Sequence, residues 1–163
     1  MPDKECRPAT REDVKALLKT LNESGVDYLL IGGFALMAHG YTRFTTDVDL
    51  LVPGNIATGT KLIQVLMTLP DKVAKEIDPQ WFTEGGTIRV GDVYMIDLLM
   101  NANGHTYEKL LPHLETVYLD EVPVRTLDLA GLLLTKQTPR DKDISDRVIL
   151  ERALGAISQQ QPT

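Results

Sequence analysis

Asp47 and Asp49 stand two residues apart in TDVDLLV, residues 46–52. This segment reads as a strand closed by Pro53-Gly54. Side chains two apart on a strand point to one face, so the two carboxylates sit side by side while Val48, Leu50 and Val52 face a core. Adjacent carboxylates repel, and a divalent cation between them relieves that cost. Mg²⁺ takes hard oxygen ligands at about 2.0–2.1 Å and keeps its other positions for water or phosphate. A third carboxylate, Asp97, lies inside the apolar run VYMIDLLM. Burying it there is costly unless it is paired, protonated or on a metal. The competing reading is a solvated strand face for Asp47 and Asp49, and an ion pair or strand-edge charge for Asp97.

Gly32-Gly33 follows a short apolar strand, residues 27–31 (DYLLI), and opens a short helix over residues 34–38 that stops at Gly40. Glycine permits close approach of backbone to a ligand, and N–H groups at a helix start favour phosphate. The pair can equally be a tight strand-to-helix turn. Neither GxxxxGK[ST] nor GxGxxG is present.

The elements that must hold these residues follow from periodicity. Thr10, with Asp13 three residues on, predicts a capped helix carrying Val14, Leu17, Leu18 and Leu21 and ending at Gly25. Asn55 caps a helix with Ile56, Leu62, Ile63 and Leu66, which ends near Pro70; a short helix is expected over residues 72–77. Residues 87–90 and 93–100 read as a hairpin around Gly91-Asp92, and residues 116–119 and 122–125 as a second. Thr106 starts a short helix ending near His113. Two helices close the chain, one after Thr126 with Leu129, Leu132, Leu133 and Leu134, the other over about residues 141–157. The pattern predicts an α/β (α+β) fold, a mixed sheet flanked by helices with a short C-terminal helical pair. It fits one domain over residues 1–163: a sheet-containing core to 125, helices over 126–157 and a frayed tail over 158–163.

The block IGGFALMAHGYTRFTTDVDLLV, residues 31–52, resembles the nucleotidyltransferase superfamily typified by DNA polymerase beta and kanamycin nucleotidyltransferase. That signature is hydrophobic-Gly-Gly/Ser, a short helix, Asp-hydrophobic-Asp/Glu, and a third Asp on a neighbouring strand, for which Asp97 is the candidate. The pattern GG-x-A…HG…R-x-T-x-D-x-D is most similar to small bacterial members, including toxin–antitoxin nucleotidyltransferases. LDLAGLLLTKQTPRDKDISDRVIL, residues 127–150, resembles their helical ending, with Lys136, Arg140, Lys142, Asp143 and Asp146 at its polar positions. The likeness spans roughly residues 25–154, and the stretch 55–82 matches nothing in it.

The resemblance implies an Mg²⁺-dependent enzyme, Mn²⁺ serving as an alternative, that moves NMP from a nucleoside triphosphate such as ATP to a hydroxyl. The acceptor would be a small molecule, an RNA 3′ end or a protein side chain. Asp47, Asp49 and Asp97 would be the catalytic metal ligands, with Asp97 on the side of the attacking hydroxyl. Gly32 and Gly33 would cradle phosphate. Many members carry Ser where Gly33 stands, so one hydroxyl contact is missing here. The alternative is a metal–nucleotide-binding or toxin–antitoxin component that performs no transfer. A homodimer or a second protein would complete a site this short.

Other polar residues weigh differently. Arg43 either neutralises triphosphate or pairs with Asp47 or Asp49, and Lys136 either reaches the triphosphate or is a solvated helix-end lysine. His39 suits the end of a helix. Arg140, Asp143 and Asp146 suit interhelix or surface pairs. Trp81 and Phe82 suit a core or an interface better than base stacking. His105 and His113 lack metal-ligand spacing.

Composition limits the rest. The formal charge of −6 (17 basic against 23 acidic residues) disfavours broad nucleic-acid binding. Cys6 is the single cysteine, which excludes an intrachain disulfide and suits a reducing cytoplasm. The start of the chain has no apolar signal core, and no apolar run approaches the roughly 20 residues of a membrane span.

Overall fold

A computed structural model describes residues 6–42, 44–136 and 141–160, with side chains omitted at 141–143, 145 and 156–160. Six strands form one mixed sheet: β1 (Leu29–Ile31), β2 (Val48–Leu51), β3 (Thr87–Gly91), β4 (Met95–Leu99), β5 (Leu114–Leu119) and β6 (Val122–Leu127), in the order β3-β4-β2-β1-β6-β5. The central strand β2 runs parallel to β4 and antiparallel to β1. β1 in turn runs parallel to β6.

The helices are α1 (Arg11–Glu23), α2 (Gly32–Ala38), α3 (Ile56–Leu66), α4 (Tyr107–Leu110), α5 (Leu129–Thr135) and α6 (Asp141–Gln160). The expected capping box is present: Thr10 accepts from the Asp13 N–H, and the Asp13 carboxylate accepts from the Thr10 N–H. Val14, Leu17, Leu18 and Leu21 form the buried stripe of α1. Asn55 caps α3, and its side chain accepts from the Thr58 N–H at 2.8 Å. Among the described residues no helix is long and apolar enough to cross a membrane.

Alternation along the central strands separates core from site. Val48, Leu50, Ile96 and Leu98 are fully buried. Each such side chain contributes roughly 1.5–3 kcal/mol through removal from water. Asp49 and Asp97 occupy the opposite face, so the residues that bury the sheet also fix which way the carboxylates point.

The structure departs from the sequence reading in four places. The first hairpin turns through residues 92–94, with Gly91 opposite Met95, so Gly91 belongs to β3 and not to the loop. The cause is Asp92, whose fully buried carboxylate accepts from the N–H groups of Asp71, Val73 and Val93 at 2.8–3.1 Å. The expected helix over 72–77 is a single 3-10 turn, Val73–Glu76, entered through Lys72 at φ 51. A second 3-10 turn, Pro79–Thr83, was not expected. It is short, and its only local signals are Asp78 as a cap and Pro79 in the first turn. α6 runs to Gln160, past the expected end at 157.

Candidate active site

The parallel register of β2 and β4 sets Asp49 directly opposite Asp97. On the other side of β2, Asp49 is opposite Ile31, the last residue of β1. The chain turns from β1 into α2 at Gly32, whose φ of +76 is a left-handed conformation that favours glycine. A Cβ at Gly32 would lie 2.3 Å from Asp49 Oδ2, and one at Gly33 would lie 2.6 Å from the Thr45 Cβ. Both glycines therefore make room for side chains of β2 and its approach. The Asp49 carboxylate sits against bare backbone, where a methyl group would displace it.

Asp47 lies just before β2 and accepts from the Thr46 hydroxyl at 2.9 Å. Asp47 and Asp97 are joined by a residue the sequence reading did not single out. Arg89 stands opposite Asp97 on β3. Its Nε donates to Asp97 Oδ1 at 2.9 Å and its Nη2 to Asp47 Oδ2 at 3.3 Å. The Arg89 side chain is 61% exposed, against 33% for Asp47 and 16% for Asp97. The ion-pair reading of Asp97 is thus realised alongside its placement beside Asp49, and the strand-edge reading is not, because β4 lies between β3 and β2. The one signal for Arg89 was period-2 placement with Thr87 in a strand predicted to pair with that of Asp97.

A cavity of about 340 Å³ opens over this face, lined by Gly32, Asp49, Thr87, Asp97 and Lys136 among others. Lys136 follows α5 and is buried. Its Nζ lies 3.0 Å from Asp146 Oδ2 on α6. The solvated-lysine reading is therefore overturned: the helix end turns inward, and a buried ammonium needs a carboxylate partner. Asp146 makes the interhelix pair expected of it. Arg43 lies outside the described residues, and so do Arg140 and the side chains of Lys142 and Asp143.

His39 does not cap its own helix through its ring; Nε2 lies 2.8 Å from the Leu127 carbonyl on β6. His113 Nδ1 lies 3.0 Å from Asp128, the N-cap of α5. Phe82 is fully buried, its ring in the notch left by Gly59, where a Cβ would meet it at 2.4 Å. Trp81, next to it, is not core; it remains 41% exposed.

Among the described residues, no group of three or more His, Cys, Asp or Glu side chains is arranged to hold a metal ion as the side chains stand. Between two of the carboxylates stands the Arg89 guanidinium. A bound cation is thus already the partner of Asp47 and Asp97, and the donor set is the hard oxygen set that Mg²⁺ takes.

No family model and no curated protein matches the sequence. Among solved structures, the fold is similar to that of an antigenic nucleotidyltransferase-like protein from Paracoccidioides brasiliensis. The TM-score is 0.52 at 17% identity, over 93% of this chain and 88% of that one. The likeness is one of fold, and in this chain the fold is a six-stranded mixed sheet flanked by helices. The chain has a nucleotidyltransferase-like fold.

Proposed function

We propose that the protein is an Mg²⁺-dependent nucleotidyltransferase that moves NMP from a nucleoside triphosphate to an acceptor hydroxyl. The observation that carries this reading is the register pairing of Asp49 with Asp97 beside the Gly32 turn, at the mouth of the cavity that Lys136 also lines. Asp47 and Asp49 would hold the metal with the triphosphate, and Asp97 would share it on the acceptor side. When bound, Mg²⁺ supplies charge neutralisation and Lewis-acid polarisation of phosphate oxygens.

The chain's own residues orient the reactants, which is most of what phosphoryl transfer requires. Backbone N–H groups of Gly32 and Gly33 donate to phosphate. The Lys136 ammonium, paired with Asp146, adds positive charge to the lining of the same cavity. Asp97, the less exposed of the two carboxylates paired with Arg89, accepts the proton of the attacking hydroxyl as pyrophosphate leaves. The Thr45 side chain fills the space beside Gly33, and its hydroxyl donates to the Asp47 carbonyl at 3.5 Å.

Incubating the protein with each α-labelled NTP, Mg²⁺ and a cell extract, then separating RNA, protein and small molecules, tests the reading and identifies the acceptor. Label transfer that requires Asp97 supports it. A melting temperature unmoved by any NTP at millimolar concentration with Mg²⁺ or Mn²⁺ would sink it. A thermal shift without transfer would favour the metal–nucleotide-binding alternative. Sedimentation of the same sample reads whether two copies or a partner assemble around the site.

A further inference from the structure

A second hollow, about 380 Å³ in volume, lies against the outer edge of β3 and shares Thr87 with the carboxylate cavity. Its other lining includes Trp81, Glu84, Gly86 and Arg89. Three features make it a built surface. First, Trp81 is exposed but held. Its neighbour Phe82 is locked in the Gly59 notch, and the 3-10 turn is pinned by Asp78 accepting from the Gln80 N–H at 2.9 Å and by Glu84 N–H donating to the Trp81 carbonyl at 3.2 Å. An indole kept partly in water by such a turn costs apolar exposure and offers a rigid aromatic face. Second, the backbone beside it is bare. Gly85 takes φ +79, and a Cβ at Gly85 or Gly86 would meet nothing within 4 Å. Third, the hollow carries both signs of charge. Arg89 is tied to Asp47 and Asp97, and Glu84 is an exposed acceptor.

An indole face, a guanidinium, a carboxylate acceptor and open glycine backbone together suit one kind of ligand: a flat heteroaromatic ring bearing an exocyclic amine. We propose that this hollow is a nucleobase site, in which the ring stacks on Trp81, its amine donates to Glu84, and Arg89 links the ring to the carboxylates. Choosing a nucleobase among planar rings rests on the nucleotidyl-transfer reading. Stacking on an aromatic side chain holds any base by its π-face, and an arginine beside the ring adds cation–π attraction. The net charge of −6 points to a single nucleotide and not to a polynucleotide track.

Trp81 is the only tryptophan, so its emission reports this hollow alone. Adenosine, guanosine, cytidine and uridine would be titrated without metal, with N-acetyltryptophanamide as the reference for collisional quenching. Saturable quenching is expected, tighter for the three amine-bearing nucleosides than for uridine. Glu84→Gln should remove that preference. Gly86→Val, which the open backbone tolerates, should weaken binding at least tenfold. Linear quenching equal to the reference for all four nucleosides overturns the proposal, as does unaltered binding by both variants. Repeating the adenosine titration under a saturating, non-cleavable α,β-methylene analogue of ATP with Mg²⁺ separates the two sources of the base. Persistent titration assigns the ring to an acceptor, and displacement assigns it to the donor. Saturable nucleoside binding with no thermal shift from the ATP analogue would keep the base site and sink the transfer reading.

Discussion

Gly32 and Asp49 share one space: a Cβ on the glycine would overlap the carboxylate, at 2.3 Å from Oδ2. The turn and the strand are thereby coupled, and the carboxylate leans on backbone. Gly32→Ala should cost at least about 1–2 kcal/mol from the left-handed φ alone, with the clash added. Urea midpoints in EDTA check this. A stability loss no larger than that range would mean that Asp49 moves aside freely, and the variant should then keep its Mg²⁺–NTP thermal shift.

Asp49→Asn and Asp97→Asn should each abolish the shift that Mg²⁺ and NTP produce together. A ligand at 100 times its dissociation constant stabilises a fold by about 2.7 kcal/mol, and that gain is what disappears. In EDTA the two variants should lie within about 1 kcal/mol of wild type. Arg89, the ion-pair partner of Asp97, is mostly exposed, and such pairs contribute about 0–1 kcal/mol. A loss of several kcal/mol in EDTA would make these aspartates scaffold and remove them as ligands.

Arg89 occupies oxygens of Asp47 and Asp97 that a metal in the proposed site would need. Arg89→Met should therefore raise affinity for Mn²⁺ in the absence of nucleotide, which electron paramagnetic resonance measures directly. Weaker Mn²⁺ binding in the variant would mean that the guanidinium organises the carboxylates for the metal and does not stand in its place.

Lys136 and Asp146 should behave in the opposite way to the aspartates of the sheet. The pair is buried, with side-chain exposures of 6% and 0%. Lys136→Met should cost about 3–5 kcal/mol even without ligand, because it removes the ammonium paired with a buried carboxylate. Adding Asp146→Leu should recover most of that loss. Chemical denaturation of the single and double variants reads the difference, and a neutral single variant would refute the structural role.

Acid should weaken the start of α1. The Arg7 guanidinium, with the Thr10 N–H and hydroxyl, holds the Asp13 carboxyl down at about 2, from an ordinary 3.8. A folded-state value below the unfolded one gives stability that is present above about pH 3.8 and is lost as pH falls toward 2. Asp13 is near the surface, so solvent screens the ion pair, and the loss should be about 1 kcal/mol, the scale of a helix cap. Asp13→Asn should flatten the stability profile between pH 4 and pH 2, as read by denaturant midpoints across that range.

Local chemistry wrote much of this molecule into its sequence. The capped α1, the glycine turn and the Asp-x-Asp strand follow from residue type and period, because caps, φ preferences and side-chain alternation act within a few residues. The alternation of TDVDLLV alone determined that Asp47 and Asp49 face away from the core residues Val48 and Leu50. Pairing across distance was not legible in the same way. That Asp49 meets Asp97 in register depends on which strands lie side by side, and β2 and β4 are joined through α3, an irregular stretch of 3-10 turns and β3. Arg89 became the bridge between Asp47 and Asp97 only because β3 closes back on β4 with Arg89 opposite Asp97. For Lys136 the sequence left a triphosphate contact and a solvated helix end equally open, and the packing of α5 on α6 removed the second by burying the side chain against Asp146. Trp81 and Phe82, adjacent in sequence, were divided by one vacancy in α3: Gly59 accepts the phenyl ring, and the indole is left at the surface.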